Sequence, residues 1–339
     1  MKKNNIKRIS QLAGVSTTAV SFVLNNKPGV SEKTRQKVLR IIEEENYTPN
    51  VNSRRLILKR SFNILVVIDP VCALDNLFYS TILQSIIVSG QALGYSTVVT
   101  TCCGPIERSP AAADISQNNA DGLIFLSDIT DEDAAYLQAS AVPFVVVDSH
   151  RRNASYHCVR GDYCQSARVA AEYLLDCGHR EIAFMCYGNR PDFYVATFSG
   201  FSAALQERGA PVRRDWILDR AVDADTARAE FGRLLASPRL PTAVLCACDL
   251  FAIVGMNCAQ QAGLQVPEAL SFCGIDDIPF AQYATPPLST IRIDNHQMGV
   301  RAVEMLNAQV TGQPTDRICT VRSDDLICRQ SVCRLPANP

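Results

Sequence analysis

Thr17, Thr18, Ser21 and Phe22 follow Gly14 within two turns of a run with helical spacing, and they carry the first recognisable chemistry of this chain. At steps of one and four residues they share one face of a helix. Hydroxyls at such positions pair with several base edges or with phosphate oxygens, and a phenyl ring packs on a thymine methyl. The residues of common catalytic sites do not recur in any working pattern. There is no Gly-x-Gly-x-x-Gly, no Gly-x-x-x-x-Gly-Lys, no Gly-x-Ser-x-Gly and no zinc-binding His pair. The chain has 14 Cys but no Cys-x-x-Cys, and Cys102-Cys103 and Cys246-x-Cys248 fall in or beside strand-like runs, where thiols serve as small hydrophobes. His150, His157 and His296 have no ligand spacing, His179 follows a helix as a structural residue would, and nothing beside Asp276-Asp277 completes a cation shell. No enzyme activity, metal or cofactor is expected.

The elements that position those four side chains are short helices. Ile6, Ile9, Leu12 and Ala13 recur at helical spacing up to the Gly14 turn. Ser16 can cap a second helix lined by Ala19, Val20, Val23 and Leu24, and Asn25-Asn26-Lys27-Pro28-Gly29 reads as a loop. Ser31 then opens a third helix with Val38, Ile41 and Ile42 inward and Lys33, Arg35, Lys37 and Arg40 outward. Helix, turn and helix is the plan in which the second helix enters the major groove by its N-terminus. Charge supports that reading over a plain three-helix bundle. Residues 1–60 hold 13 Lys and Arg against 4 Glu, a charge of +9 within a chain of net −1, so the remainder carries −10. A basic head on an acidic body is the footprint of a nucleic-acid reader.

These residues bring a family into view. Ile6-Lys7-Arg8-Ile9-Ser10-Gln11-Leu12-Ala13-Gly14-Val15-Ser16, then Val20-Ser21-Phe22-Val23-Leu24-Asn25, Val30-Ser31 and Thr34-Arg35, resembles the headpiece of the lactose/galactose repressor (LacI/GalR) family. Tyr47-Thr48-Pro49-Asn50 with Ser53-Arg54-Arg55-Leu56 resembles that family's hinge helix. Residues 50–56 are too few for a stable helix in water. The resemblance implies that they fold on DNA beside a dimer mate and drive Leu56 into the minor groove as an unstacking wedge. Thr17, Thr18, Ser21, Phe22, Asn25, Asn50, Ser53, Arg54 and Leu56 are therefore the expected DNA contacts. The family usually has Thr in place of Ala19 and often Arg in place of Phe22, so a bidentate guanine contact from position 22 is lost.

Beyond a linker at Ile57–Ser61, apolar strand-like runs alternate with helical ones. The strands are Asn63–Asp69, Tyr95–Thr101, Gly122–Leu126, Pro143–Asp148, Ile182–Cys186, Ala243–Ala247 and Ser271–Ile275. The helices include Leu77–Leu93, Ser166–Asp176, Phe201–Arg208, Leu250–Ala262 and Gln297–Gln309. That alternation implies parallel sheets covered on both faces, with ligands beyond the C-terminal strand ends. Landmarks such as Gly178-His179-Arg180-Glu181-Ile182, Ser199-Gly200-Phe201 and Gly274-Ile275-Asp276-Asp277 resemble the same family's body, which is like a periplasmic sugar-binding protein. The expected plan is an all-α helix-turn-helix headpiece at 1–49, a hinge and linker at 50–61, and a body at 62–339. That body comprises two doubly wound α/β subdomains with crossovers near residues 160, 289 and 320.

The resemblance also implies where an effector would sit. Phe78 and Tyr79 match aromatics that flank it, Asp148 and Asp276 match strand-end carboxylates that bind hydroxyls, and Asn295 and Met298 match a wall. Thr197 stands where an Arg is usual, Cys248 replaces an Asn and Ser149 an Arg, while Arg190 is near enough in sequence to substitute. The expected function is that of a regulator, and specifically a repressor. It would act as a homodimer on a near-palindromic double-stranded DNA operator and answer to a small molecule such as a sugar or sugar derivative. The departures leave open a DNA-binding protein whose cleft has lost its ligand and responds to a partner protein or to nothing. The chain has no run long and apolar enough to span a bilayer and no apolar signal core, which points to the cytoplasm and away from membranes.

Overall fold

The computed structural model describes residues 6–24, 28–45, 60–69, 77–151 and 154–336. The chain divides into two compact units, Met1–Phe62 and Asn63–Pro339.

In the first unit, α1 (Ile6–Ala13), α2 (Thr17–Leu24) and α3 (Glu32–Glu44) close around Ile9, Ala13, Val20, Val23 and Val38, all buried. Gly14 makes the turn between α1 and α2 at φ 64°, a left-handed conformation that costs a glycine nothing. Ser16 Oγ accepts from the Ala19 amide at 3.1 Å, and Ser31 Oγ accepts from Thr34 at 3.3 Å, so both later helices are capped by hydroxyls. Arg8 grips both carboxylate oxygens of Glu45 at 2.9 and 3.2 Å and ties α1 to the end of α3.

The second unit holds, among the described residues, two six-stranded sheets. The elements of its first half are β1 (Asn63–Ile68), α4 (Leu77–Ala92), β2 (Ser96–Thr101), α5 (Pro110–Ser116), β3 (Gly122–Leu126), α6 (Asp131–Ser140), β4 (Phe144–Val147) and β5 (His157–Gly161). Then follow α7 (Tyr163–Asp176), β6 (Ile182–Tyr187), α8 (Pro191–Glu207), β7 (Ile217–Ala221), α9 (Ala224–Leu235), β8 (Ala243–Cys246), α10 (Asp249–Gln261), β9 (Ser271–Asp276), β10 (Ser289–Arg292), α11 (Asn295–Val310), β11 (Ile318–Val321) and β12 (Asp325–Ile327).

The N-terminal sheet runs β11-β5-β4-β3-β1-β2, parallel throughout. The C-terminal sheet runs β12-β10-β9-β8-β6-β7 and is parallel except for β12, which pairs antiparallel with β10 at one edge. The chain passes from one sheet to the other between β5 and β6, between β10 and β11, and between β11 and β12. Continuous apolar strands such as Ile64–Ile68 and Leu123–Leu126 are buried on both faces, as covered parallel sheets require. α8 begins ten residues before the helix read from sequence. Thr197, Ser199 and Gly200 weaken the local helical signal there, but packing on α7 overrides it: a Cβ on Gly200 would lie 1.9 Å from the Cys164 carbonyl oxygen.

Candidate functional site

At the C-terminal ends of the strands, side chains from both sheets converge on one small cavity of about 20 Å³, room for a single water. Phe78 and Tyr79 come from the first turn of α4, and Asp148 and His150 from the loop after β4. Tyr163 opens α7, and Tyr187 ends β6. Arg190 and Phe193 flank the start of α8, Cys248 follows β8, and Asp276 ends β9.

The two carboxylates are aimed by unusual backbone. Asp148 has φ 65° and Asp276 φ 129°, a region that non-glycine residues rarely occupy and that clusters at functional sites. Asp148 is buried and accepts from the Tyr79 hydroxyl at 2.8 Å and the Tyr163 hydroxyl at 2.5 Å. Burial by itself would raise its carboxyl. The neighbouring His150, the hydrogen bond from Tyr163 and the Arg190 guanidinium outweigh that and hold it below the ordinary carboxylate range. Asp276 goes the other way. Burial first, then the charges of Asp249 and Asp148, push it well above its ordinary value. The two carboxyls are therefore pushed in opposite directions, Asp148 toward the ionised form and Asp276 toward the protonated one. Burial likewise keeps Tyr79, Tyr163 and Tyr187 as neutral hydroxyls.

The walls are aromatic. Phe78 meets Tyr79 edge-on at 5.2 Å, His150 packs on Tyr163 at 5.0 Å and on Phe193 at 4.7 Å, and the Arg190 guanidinium lies 4.9 Å from the centre of the Tyr187 ring. Such a site offers a charged acceptor, a cation and flat apolar faces in a water-poor space. Among the described residues no group of His, Cys, Asp and Glu is arranged to hold a metal.

Of the side chains singled out from sequence, Phe78, Tyr79, Asp148, Arg190 and Asp276 meet in this cavity. Thr197 does not. It is buried in α8 with its hydroxyl donating to the Phe193 carbonyl at 2.9 Å, so it holds the helix that carries Phe193 instead of lining the cleft. Asn295, at the start of α11, is buried outside the cavity lining, and Met298 is a core residue. Asp277 is an anchor, paired with Arg292 at 2.9 Å and Arg329 at 2.6 Å. Sequence reasoning missed His150, Tyr163, Tyr187 and Phe193. The strand-end rule held the signal for His150, Tyr163 and Tyr187, which stand at or just past the ends of β4, β5 and β6, whereas Phe193 lies inside α8.

On the headpiece, Thr17 and Thr18 are exposed in the first turn of α2, while Ser21 and Phe22 are half-buried. The Phe22 ring sits against the loop: a Cβ on Gly29 would touch it at 3.4 Å. Asn25, Asn50, Ser53, Arg54 and Leu56 lie outside the described residues.

Comparison with known proteins decides the family. The profile described as bacterial regulatory proteins, lacI family, matches residues 5–50, and that of a periplasmic binding protein-like domain matches residues 171–332. The HTH-type transcriptional repressor PurR of Vibrio parahaemolyticus is 30% identical over 333 residues, which is 97% of this chain and 99% of that protein. This chain belongs to the LacI family. PurR of Vibrio cholerae is also 30% identical, over 96% of this chain and 97% of its own length. Among solved structures, the lac repressor dimer bound to operator and the anti-inducer ONPF superposes with a TM-score of 0.80 at 26% identity, covering 98% of this chain and all of that one. As a LacI-family member the chain is a DNA-binding transcriptional regulator and not an enzyme. The helical head and the two-sheet α/β body are the architecture of that family.

Proposed function

We propose that this protein is a sequence-specific repressor whose operator affinity is set by a small molecule, a sugar or sugar derivative, held in the aromatic cleft. The observation that carries the reading is the convergence of Asp148, Asp276 and Arg190 between aromatic rings, at strand ends drawn from both sheets. Carboxylates accept hydroxyls, a guanidinium donates to them, and the rings cover the apolar face of a pyranose or furanose. Residues from α4 and β4 meet residues from α7, α8 and β9 here, so a ligand's differential affinity for the open and closed cleft would shift the arrangement of the two subdomains.

The same reading gives the rest of the chain its roles. Thr17 and Thr18, with Ser21, Phe22 and Asn25, face base edges, and Asn50, Ser53, Arg54 and Leu56 form a hinge that orders on DNA. Dimerisation would use exposed apolar side chains, Val88 on α4 and Val98 and Val99 on the edge strand β2. Ile82 and Ile86 on α4 point into the protein's own core. The protein would work in the cytoplasm, and among the described residues no helix is long and apolar enough to cross a membrane.

A second reading has its own support. The cavity is small and Asp148 already accepts two tyrosine hydroxyls, as expected of a cleft filled by its own side chains that answers to a partner protein or to no ligand. A thermal-shift screen of the full-length protein against sugars, sugar phosphates and nucleobases separates the two, since a ligand that binds only the native state raises the midpoint. Sugar or sugar-phosphate hits that also alter a gel shift on operator DNA support the first reading, whereas a nucleobase hit would replace the sugar in it. A panel without hits supports the second.

A further inference from the structure

Among the described residues, three buried side-chain polar atoms lack a hydrogen-bond partner: Thr97 Oγ1, His150 Nε2 and Asn295 Oδ1. Only His150 lines the cleft. The residue is 8% exposed, and its ring is clamped between Tyr163 and Phe193. Its backbone is clamped as well. The His150 amide donates to Asp128 Oδ2 at 3.3 Å and the Ser149 hydroxyl to Asp128 Oδ1 at 2.7 Å. A side chain fixed this firmly, its Nε2 desolvated and faced only by the Asp148 carboxylate at 3.5 Å, has hydrogen-bonding capacity that a ligand oxygen can complete.

The neighbouring group tells what that ligand presents. His150 Nε2 stands 3.5 Å from Asp148 Oδ2, beside it rather than bonded to it. The carboxylate favours the hydrogen on Nε2, making it a donor. Asp148 Oδ2 already accepts from Tyr79, but a carboxylate oxygen has a second lone pair. A donor and an acceptor at this separation match two oxygens on adjacent ring carbons. We propose that His150 and Asp148 together read a vicinal diol of the effector, the carboxylate accepting from one hydroxyl and the imidazole donating to its neighbour. The inference rests on the sugar reading above and assigns His150 as a specificity-determining residue.

The test uses the full-length protein, titrated calorimetrically with D-ribose, D-glucose, D-galactose and the monodeoxy analogue of each at every ring hydroxyl. For a sugar that binds the wild type, H150F keeps the ring packing but loses the donor, and should weaken binding by about tenfold or more. H150Q, which restores an N–H near the same place, should recover most of it. Removing one hydroxyl of the diol should cost wild-type affinity but almost none in H150F, the coupling that marks a direct contact. If H150F does not fold, H150L carries the same expectation. Equal sugar affinity in wild type and the apolar variant, or an equal deoxy penalty in both, overturns this inference and leaves the effector reading standing. If no sugar binds the wild type, the effector reading falls and this inference falls with it.

Discussion

The Tyr163 hydroxyl donates to Asp148 Oδ1 at 2.5 Å, and this bond ties the first turn of α7, packed on the C-terminal sheet, to the end of β4 in the N-terminal sheet. Both residues are 4% exposed. A buried hydrogen bond to a charged acceptor contributes roughly 1.5–3 kcal/mol. Y163F should lower unfolding stability by that amount, read from denaturant midpoints, and loosen the cleft between the subdomains. An unchanged midpoint would mean that the bond does not hold the subdomains together.

The opposed environments of Asp148 and Asp276 give opposed pH dependences. Asp276 is raised, so the native state holds its proton more tightly than the unfolded chain does. Stability is therefore lost as pH rises from the ordinary carboxyl value through the folded one. D276N, neutral throughout, should flatten that decline and stabilise the protein above about pH 4. Asp148 is lowered, so its contribution is present above the ordinary carboxyl value and fades as acid is added through the folded one. D148N should cost stability at neutral pH and less in acid. Thermal midpoints measured across pH for the three proteins check both signs, and parallel curves would contradict them.

At Gly200 the two helices α7 and α8 approach tightly, with the added Cβ of an alanine falling 1.9 Å from Cys164 O and 3.0 Å from the Arg168 amide nitrogen. Both atoms are backbone, so relief requires the helices to separate. G200A should destabilise the body by about 1–3 kcal/mol or more. Because α7 and α8 carry Tyr163 and Phe193, it should also weaken whatever the cleft binds. Calorimetric unfolding is the check, and a wild-type transition would refute the close packing.

For the headpiece, binding to operator should fall with salt at a log–log slope of about −0.9 per phosphate contact. T18A should cost about 1 kcal/mol on operator and leave non-specific binding and the salt slope nearly intact, as expected for a lost neutral hydrogen bond. F22R should shift preference toward guanine at one position of each half-site. Gel shifts over a salt series decide these points, and a flat salt response would contradict the DNA-reading role.

Much of this was legible in the residue order. The headpiece helices were marked by spacing, Gly14 and the capping Ser16 and Ser31, and the long apolar strands β1, β3, β6, β8 and β9 by composition. The short elements were not. β5, with His157 and Arg160 in it, and β10, with Ser289 and Arg292, are short and broken by polar residues, and pairing with neighbouring strands holds them. The helix at Asp131–Ser140 was likewise hidden, since its apolar and polar residues do not separate onto opposite faces; Thr130 caps its start.

The sequence alone determined the segregation of positive charge at the head, the alternation of strand and helix, and the family likeness, because these depend on which residues lie near one another along the chain. Tertiary structure alone decided that Asp148 would be gripped by Tyr79 and Tyr163, that His150 would face the cleft with Nε2 unsatisfied, and that Thr197 would turn inward. Those outcomes depend on which strand ends are brought together across two sheets, and on a left-handed backbone at Asp148 and Asp276. Neither leaves a periodic trace along the chain.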